Sequence, residues 1–193
     1  SIAAMDEKDA VILTNLFPST TSVDLRGGYT LWSTGYSAAV ETVITYSGGA
    51  TDKLFGASGT AIYDATAGGA IGAAAVSGLT NARWQYVNYA TTGGNYAILA
   101  NGADAVRSFD GTNWASPSIT GVTSTNLIHV NTHKSRLWFI EKNTLKAWYL
   151  PTQAIAGAAA ALDLSAFCPH GGYLMAMGTW TIDAGYGVDD LAV

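Results

Sequence analysis

A single cysteine, Cys168, leaves no disulfide framework and no Cys-based zinc site to hold this chain together. Charge is also sparse. Asp, Glu, Lys and Arg make up 12% of 193 residues, about half of the ~25% usual in soluble domains. Nine Lys and Arg stand against fourteen Asp and Glu, a net charge of −5, which argues against a basic nucleic-acid binder. Lys, Glu, Leu and Arg are too few for a coiled coil or a long-helix bundle. No stretch is long and apolar enough for a membrane helix: the charge-free window 65–82 is rich in Gly and Thr. The first ten residues hold Asp6, Glu7, Lys8 and Asp9, a composition foreign to a signal peptide. There is no Asn-x-Ser/Thr sequon.

What the chain does have excludes disorder. Hydrophobic residues make up 49%, with six Trp and ten Tyr, and the length allows a real core. Local patterns favour β structure. Apolar and polar residues alternate over 40–46, 84–89 and 127–130, and short apolar runs occupy 54–57, 96–100 and 137–140. Turn signals separate them, among them Ser58-Gly59, Gly93-Gly94, Asn101-Gly102, Asp110-Gly111 and Lys142-Asn143. Two stretches have helical potential: one or two turns over 6–16, and the alanine-rich 152–162.

The strands repeat. Val76-Ser77-Gly78-Leu79-Thr80 returns 43 residues later as Ile119-Thr120-Gly121-Val122-Thr123. Val87-Asn88 returns as Val130-Asn131, and Ser58-Gly59 as Asn101-Gly102, at the same offset, with Lys142-Asn143 following after 41. The expected organisation is an N-terminal arm (1–39), blade-like repeats at 40–80, 81–123 and 124–169, and the start of a truncated fourth unit at 170–193. A period of 40–45 residues with about four short antiparallel strands is the size of a β-propeller blade. The expected fold is therefore all-β and propeller-like, incomplete in this chain. Ser1 in place of Met, and an end on Leu191-Ala192-Val193, read as two cut termini. Ser108-Phe109-Asp110-Gly111-Thr112-Asn113-Trp114 comes close to the Asp-box of propeller hairpins, one residue short between Asp and Gly and one long before Trp. It is a turn motif and implies no catalysis.

The chemistry-bearing residues form no convincing catalytic pattern. His129 and His133 lie four apart on a strand and its turn, without the Glu of a zincin. Cys168-Pro169-His170 puts thiol and imidazole close in sequence only, which favours a packed cysteine. Asp189-Asp190 is a cation candidate or a solvated strand start. Glu7, Glu41 and Glu141 are the only glutamates, and nothing pairs two carboxylates as a glycosidase does. Gly56-Ala57-Ser58-Gly59 lacks the spacing of a nucleophile elbow, and Gly68-Gly69-Ala70-Ile71-Gly72 that of a phosphate loop. Trp84, Tyr86, Trp138 and Trp148 are of a kind to stack on sugars or to pack between blades. No catalytic, cofactor or metal residue is assigned.

The N-terminal forty residues resemble a known family. Ala4-Met5-Asp6-Glu7-Lys8-Asp9-Ala10-Val11, then Leu13-Thr14-Asn15-Leu16-Phe17-Pro18, then Val23-Asp24-Leu25-Arg26-Gly27-Gly28-Tyr29-Thr30, follow the opening of a group of tailed-bacteriophage virion proteins. Later stretches are similar too: Phe55-Gly56-Ala57-Ser58-Gly59-Thr60, Leu79-Thr80-Asn81-Ala82-Arg83-Trp84, Lys134-Ser135-Arg136-Leu137-Trp138 and Trp148-Tyr149-Leu150-Pro151. Among virion parts the chain looks most like the β-propeller tail nozzle or hub of short-tailed phages (tail tubular protein B-like).

That resemblance implies a structural tail component, not an enzyme, assembled in the host cytoplasm and located in the virion tail. It implies a ring of copies, usually six, docked to portal or adaptor and to fibre proteins, with genomic DNA passing through unbound. No cofactor is implied. The segment 19–28 suits a docking arm, where Arg26 either pairs with a neighbour's carboxylate or stands solvated. Two other classes stay open: a carbohydrate-binding or glycan-hydrolysing propeller, and a generic interaction scaffold.

Overall fold

The computed structural model describes residues 14–48, 52–182 and 188–192. Among them there is no α-helix; strands and the short 3-10 turns Ser124–Asn126 and Ser165–Phe167 make an all-β chain. It divides into two compact units, Ser1–Trp32 and Ser33–Val193.

The first unit is a small hairpin. Leu16–Pro18 pairs antiparallel with Val23–Leu25, Leu16 opposite Leu25. The Ser19 hydroxyl closes its turn by accepting the Ser22 backbone N–H at 3.0 Å. None of its described residues is buried. The helical turns expected over 6–16 fall mostly outside the described residues; of that stretch, Asn15 has φ 59° and Leu16 starts a strand.

The second unit is a row of small antiparallel sheets. In the first, Val40–Ser47, Asp52–Ser58 and Ala61–Asp64 pair in chain order, and Val76 bridges to Ile62. The second contains Gln85–Thr91, Gly94–Ala100, Arg107–Phe109 and Trp114–Ala115. The third contains Leu127–His133, Arg136–Glu141, Lys146–Tyr149 and Ala160–Asp163. A hairpin follows, Gly178–Ile182 with Val188–Ala192. Within these three sheets and the hairpin the strands pair antiparallel in chain order, as meanders joined mostly by tight turns; only the third sheet passes over a longer segment, 150–159, before its last strand.

Residues 33–39, grouped above with the arm, pack with the first sheet instead. Ser33–Thr34 pairs in parallel with Gly69–Ala70, and the Ser58 hydroxyl both accepts from the Ala38 N–H at 3.0 Å and donates to the Ala38 carbonyl at 2.7 Å. Ser58 is thereby a buried but fully satisfied hydroxyl.

The repeat shows in backbone and packing. Gly59, Gly102 and Asn143 all connect the second strand of a sheet to its third, and all have left-handed φ: 58°, 70° and 59°. Gly35, Gly78 and Gly121, spaced by 43, have φ of 92°, 74° and 92°. Trp84 and Leu127, also 43 apart, lead into first strands and are buried against the preceding sheet.

The offset slips in the strands themselves. Val87 stands four residues before Thr91 and opposite Ile98; Val130 stands three before His133 and opposite Phe139. The true structural mate of Val130 is Asn88, 42 residues earlier. In a strand a one-residue slip exchanges the faces. Val87 accordingly packs toward the third sheet, whereas Val130 packs toward the second. The equivalence of Val87 and Val130 expected from the sequence therefore does not hold.

Three apolar clusters lie between consecutive members of the row. Ile44, Phe55 and Ile62 meet Trp84, Leu99 and Phe109 between the first and second sheets. Ile98 and Val106 meet Val130, Leu137 and Phe139 between the second and third. Ile140 and Ala147 meet Met177 before the hairpin. Burying one such large side chain contributes about 1.5–3 kcal/mol, so the row is held face to face.

The alanine-rich 152–162 is not helical. Gln153 and Gly157 have φ of 62° and 112°, which no helix accommodates. Gly157–Ala158 pairs in parallel with Ile119–Thr120, and Ala160–Asp163 completes the third sheet beside Lys146–Tyr149. Ladder hydrogen bonds and tertiary pairing override alanine's helix propensity here.

Candidate functional site

The first strands of the sheets lie against one another along one side of the row. Both faces of these strands carry cluster residues (Tyr86 toward the first sheet, Val87 and Tyr89 toward the third), and their polar side chains meet the neighbouring strands at the seams. There Asn88 donates from Nδ2 to the Thr45 carbonyl of the first sheet at 3.0 Å. Asn131 donates from Nδ2 to Thr179 Oγ1 at 3.1 Å, and Thr179 Oγ1 donates to the Thr132 carbonyl at 2.6 Å. His129 Nε2 donates to the Met177 carbonyl at 2.9 Å. Thr45, Asn88 and Asn131 repeat at 43 residues, a spacing visible in the sequence though the residues were not singled out as a set. These four first strands contain no Lys or Arg, and Glu41 is their only acidic residue.

At the ends of the strands a cleft of about 500 Å³ is lined by Asn88, Asn131, His133, Lys134, Ser135 and Thr179 among others. Its rim is the two-residue turn Lys134-Ser135, with φ of 47° and 55° where Asn-Gly would be the easy choice. The turn is held from two sides. Tyr89 donates its hydroxyl to the Ser135 carbonyl at 2.7 Å, and the Gln153 N–H donates to the same oxygen at 2.8 Å. Gln153 Oε1 also accepts the Thr92 N–H at 2.8 Å, stapling the hairpin tips of the second and third sheets.

The other candidate residues are accounted for structurally. His129 and His133 share a strand but not a ligand set, since His129 is tied to Met177 and His133 is buried with Nδ1 unpartnered. Cys168 is a free thiol at the end of a 3-10 turn. Glu141 accepts the Trp148 indole N–H at 2.9 Å, and Glu41 pairs with Arg83 at 3.1 Å. Asp189 and Asp190 lie opposite Thr181 and Trp180 in the last hairpin. Gly68 and Gly69 turn with φ of 70° and 72° before a two-residue strand. Among the described residues no three His, Cys, Asp or Glu side chains group as a metal site. Among the described residues no helix is long and apolar enough to cross a membrane.

Trp84 is buried and Trp138 stacks at a tilt on Tyr149, centroids 4.7 Å apart; Tyr149 also receives the Arg136 guanidinium at 5.5 Å. Tyr86 meets the Thr45 hydroxyl at 3.0 Å. The sequence-selected aromatics thus serve packing and seams.

Aspartates knit the turns. Asp110 accepts the backbone N–H groups of Asn113 and Thr112 at 2.6 and 2.8 Å, which hold its carboxyl below the usual range. Trp114 then folds back onto Phe55 and Phe109, centroids 5.0 Å from each, so the near-Asp-box is a packed hairpin. Asp104 accepts both N–H and hydroxyl of Thr80 and the Asn101 amide. Burial raises its pKa, but the hydrogen bonds from Asn101 and Thr80 outweigh it and the net direction is down. Asp64 behaves likewise: burial pushes up, while Thr66 and the Lys53 ammonium at 3.0 Å pull it down.

The seam is therefore a hydrogen-bonded run of uncharged amides and hydroxyls, and among the described residues none of its hydrogen bonds pairs a nucleophile with a base. No family model, curated protein or solved structure matches the chain.

Proposed function

We propose that this chain is a structural component of a bacteriophage tail, a nozzle or hub part whose sheets are blades of a β-propeller-like array. One observation carries the reading: the first strands of successive meanders stand side by side with no Lys or Arg among them, joined by Thr45, Asn88, Asn131 and Thr179. A duct that must let a duplex slide needs such a surface. Each phosphate neutralised by Lys or Arg adds a salt-dependent increment to DNA affinity, with a slope of about −0.9 per contact. Amides and hydroxyls hold water and add no such term. The net charge of −5, repeated in every copy of a ring, keeps the duplex central. The sequence resemblance to tail nozzle proteins supports the same reading, as does the absence of a catalytic arrangement among the described residues.

Electron microscopy of the purified, assembled protein tests it, together with duplex binding at about 50 mM salt, where electrostatic affinity is high. Expected are closed rings with a central opening and no retained DNA. Isolated particles without an opening, or micromolar duplex binding with a steep salt slope, overturn it. A glycan-binding propeller predicts instead selective retention on a glycan array.

A further inference from the structure

We infer that the cleft at the strand ends binds a small hydroxy acid, its carboxylate held by Lys134, Ser135 and His133 and its hydroxyl by the amide oxygens of Asn88 and Asn131. This goes beyond the tail reading and does not rest on it. Lys134 lies in a turn, outside the four first strands that carry that reading.

Backbone strain concentrates at this cleft. Among the described residues the non-glycine positions with positive φ are Asn15, Lys134, Ser135, Asn143 and Gln153. Asparagine visits that region readily; lysine, serine and glutamine do not. Those three stand together, since the Gln153 N–H donates to the Ser135 carbonyl at 2.8 Å. Strain of this kind persists where the surroundings hold a side chain in place for use. Asn-Gly would make the same turn at lower cost, but it would take an ammonium and a hydroxyl away from the rim.

The lining leaves a particular set of polar groups unanswered. At about 500 Å³ the cleft is of small-molecule size, within the range of roughly 300–1,000 Å³. No Asp or Glu lines it, although the chain has fourteen. Its one formal charge is Lys134, exposed and without an ion pair among the described residues. His133 is only 9% exposed, and its Nδ1 is enclosed without a partner. An orphaned buried N–H is rarer than an orphaned acceptor, so the proton belongs on Nε2, which can then donate to an anion. Asn88 and Asn131 commit Nδ2 to Thr45 and Thr179, which leaves each Oδ1 free to accept from a ligand hydroxyl. A bare anion would leave those oxygens unanswered, and a neutral polyol would leave the ammonium. A hydroxy acid answers both.

Titration calorimetry on the full chain tests this with four probes: tartrate, succinate (no hydroxyl), threitol (no carboxylate) and inorganic phosphate. Tartrate is expected to bind with a Kd on the order of 1 mM, at least about tenfold tighter than each of the others. Lys134→Asn/Ser135→Gly installs the easy turn, so it should melt above wild type while losing tartrate affinity by at least about tenfold. Lys134→Arg keeps the charge and should stay within about threefold of wild type. No heat from tartrate at ~20 mM, well above that Kd, overturns the site. So does a double variant that binds like wild type or melts below it. Succinate, threitol or phosphate binding as tightly as tartrate overturns the hydroxy-acid assignment. None of these outcomes decides the ring reading, which microscopy tests separately.

Discussion

Alanine at Gly121 and alanine at Gly78 should separate two costs that a glycine usually hides together. The two residues occupy the same place in the repeat, with φ of 92° and 74°. An L-residue in left-handed backbone costs about 1–2 kcal/mol, and both variants incur that. Their surroundings differ. A Cβ on Gly78 meets nothing within 4 Å, whereas one on Gly121 falls 2.8 Å from the Ala159 carbonyl oxygen and 3.7 Å from the Trp148 ring. Backbone cannot swing aside as a lysine tip would, and the Ala159 N–H is itself bonded to the Thr120 carbonyl at 2.8 Å. Such overpacking typically adds about 1–3 kcal/mol. The expected losses are therefore ~1–2 kcal/mol for Gly78→Ala and ~2–5 kcal/mol for Gly121→Ala. At about 2–4 °C per kcal/mol for a chain of this size, the second should melt clearly lower. Urea unfolding followed by tryptophan fluorescence gives both values on one scale. Equal losses would refute the idea that Gly121 is required by the close approach of the Ala159 backbone.

Further tests address the core, the seams and pH. Phe139→Ala, at a fully buried position between the second and third sheets, should cost about 3–5 kcal/mol in the same assay; a loss below 1 would contradict the face-to-face packing. Tyr89→Phe should cost about 1 kcal/mol and raise hydrogen exchange at the Lys134-Ser135 turn, which then loses one of its two anchors. Acid should weaken the fold. The lowered carboxyls of Asp110, Asp104 and Asp64 stabilise it above their unfolded pKa, about 3.9, and that contribution is lost as pH falls through the lower folded values. Asp110→Asn should therefore melt below wild type at pH 7, with the gap closing from about pH 4 downward; a gap independent of pH would show that the charge is not what the Asn113 and Thr112 amides read.

Strand positions were legible in the sequence because short apolar runs alternate with glycine and asparagine turns. All-β class and meander order followed from that spacing. What failed to show was register. One residue fewer separates the repeat's glycine from the hairpin turn in the third sheet, near the irregularity between Leu127 and His129. A period read from Gly78 and Gly121 therefore carried Val87 onto the wrong neighbour. The 152–162 segment misled for a different reason. Alanine speaks for helix only while no partner strand competes, and Ile119–Thr120 and Lys146–Tyr149 are such partners. The seam was half legible: Thr45, Asn88 and Asn131 share the period, but their amides and hydroxyls resemble any solvated strand until the neighbouring strand stands beside them. Thr179 breaks the spacing, and only the fold brings it beside Asn131.

The parallel pairings of Ser33–Thr34 with Gly69–Ala70, and of Ile119–Thr120 with Gly157–Ala158, bear on how such a chain grows by duplication. Each lead-in segment is fastened to the sheet it precedes, before that sheet's first strand begins. The heritable module is therefore offset from the visible sheet. A copied or grafted unit that starts at residue 124 leaves its own fastening behind in the donor, whereas one that starts before Ser118 brings the fastening along. Recombinant exchange of the first and third repeats should succeed with junctions upstream of Ser33 and Ser118, where whole shingles are lifted with their nails, and fail with junctions placed at the strand starts.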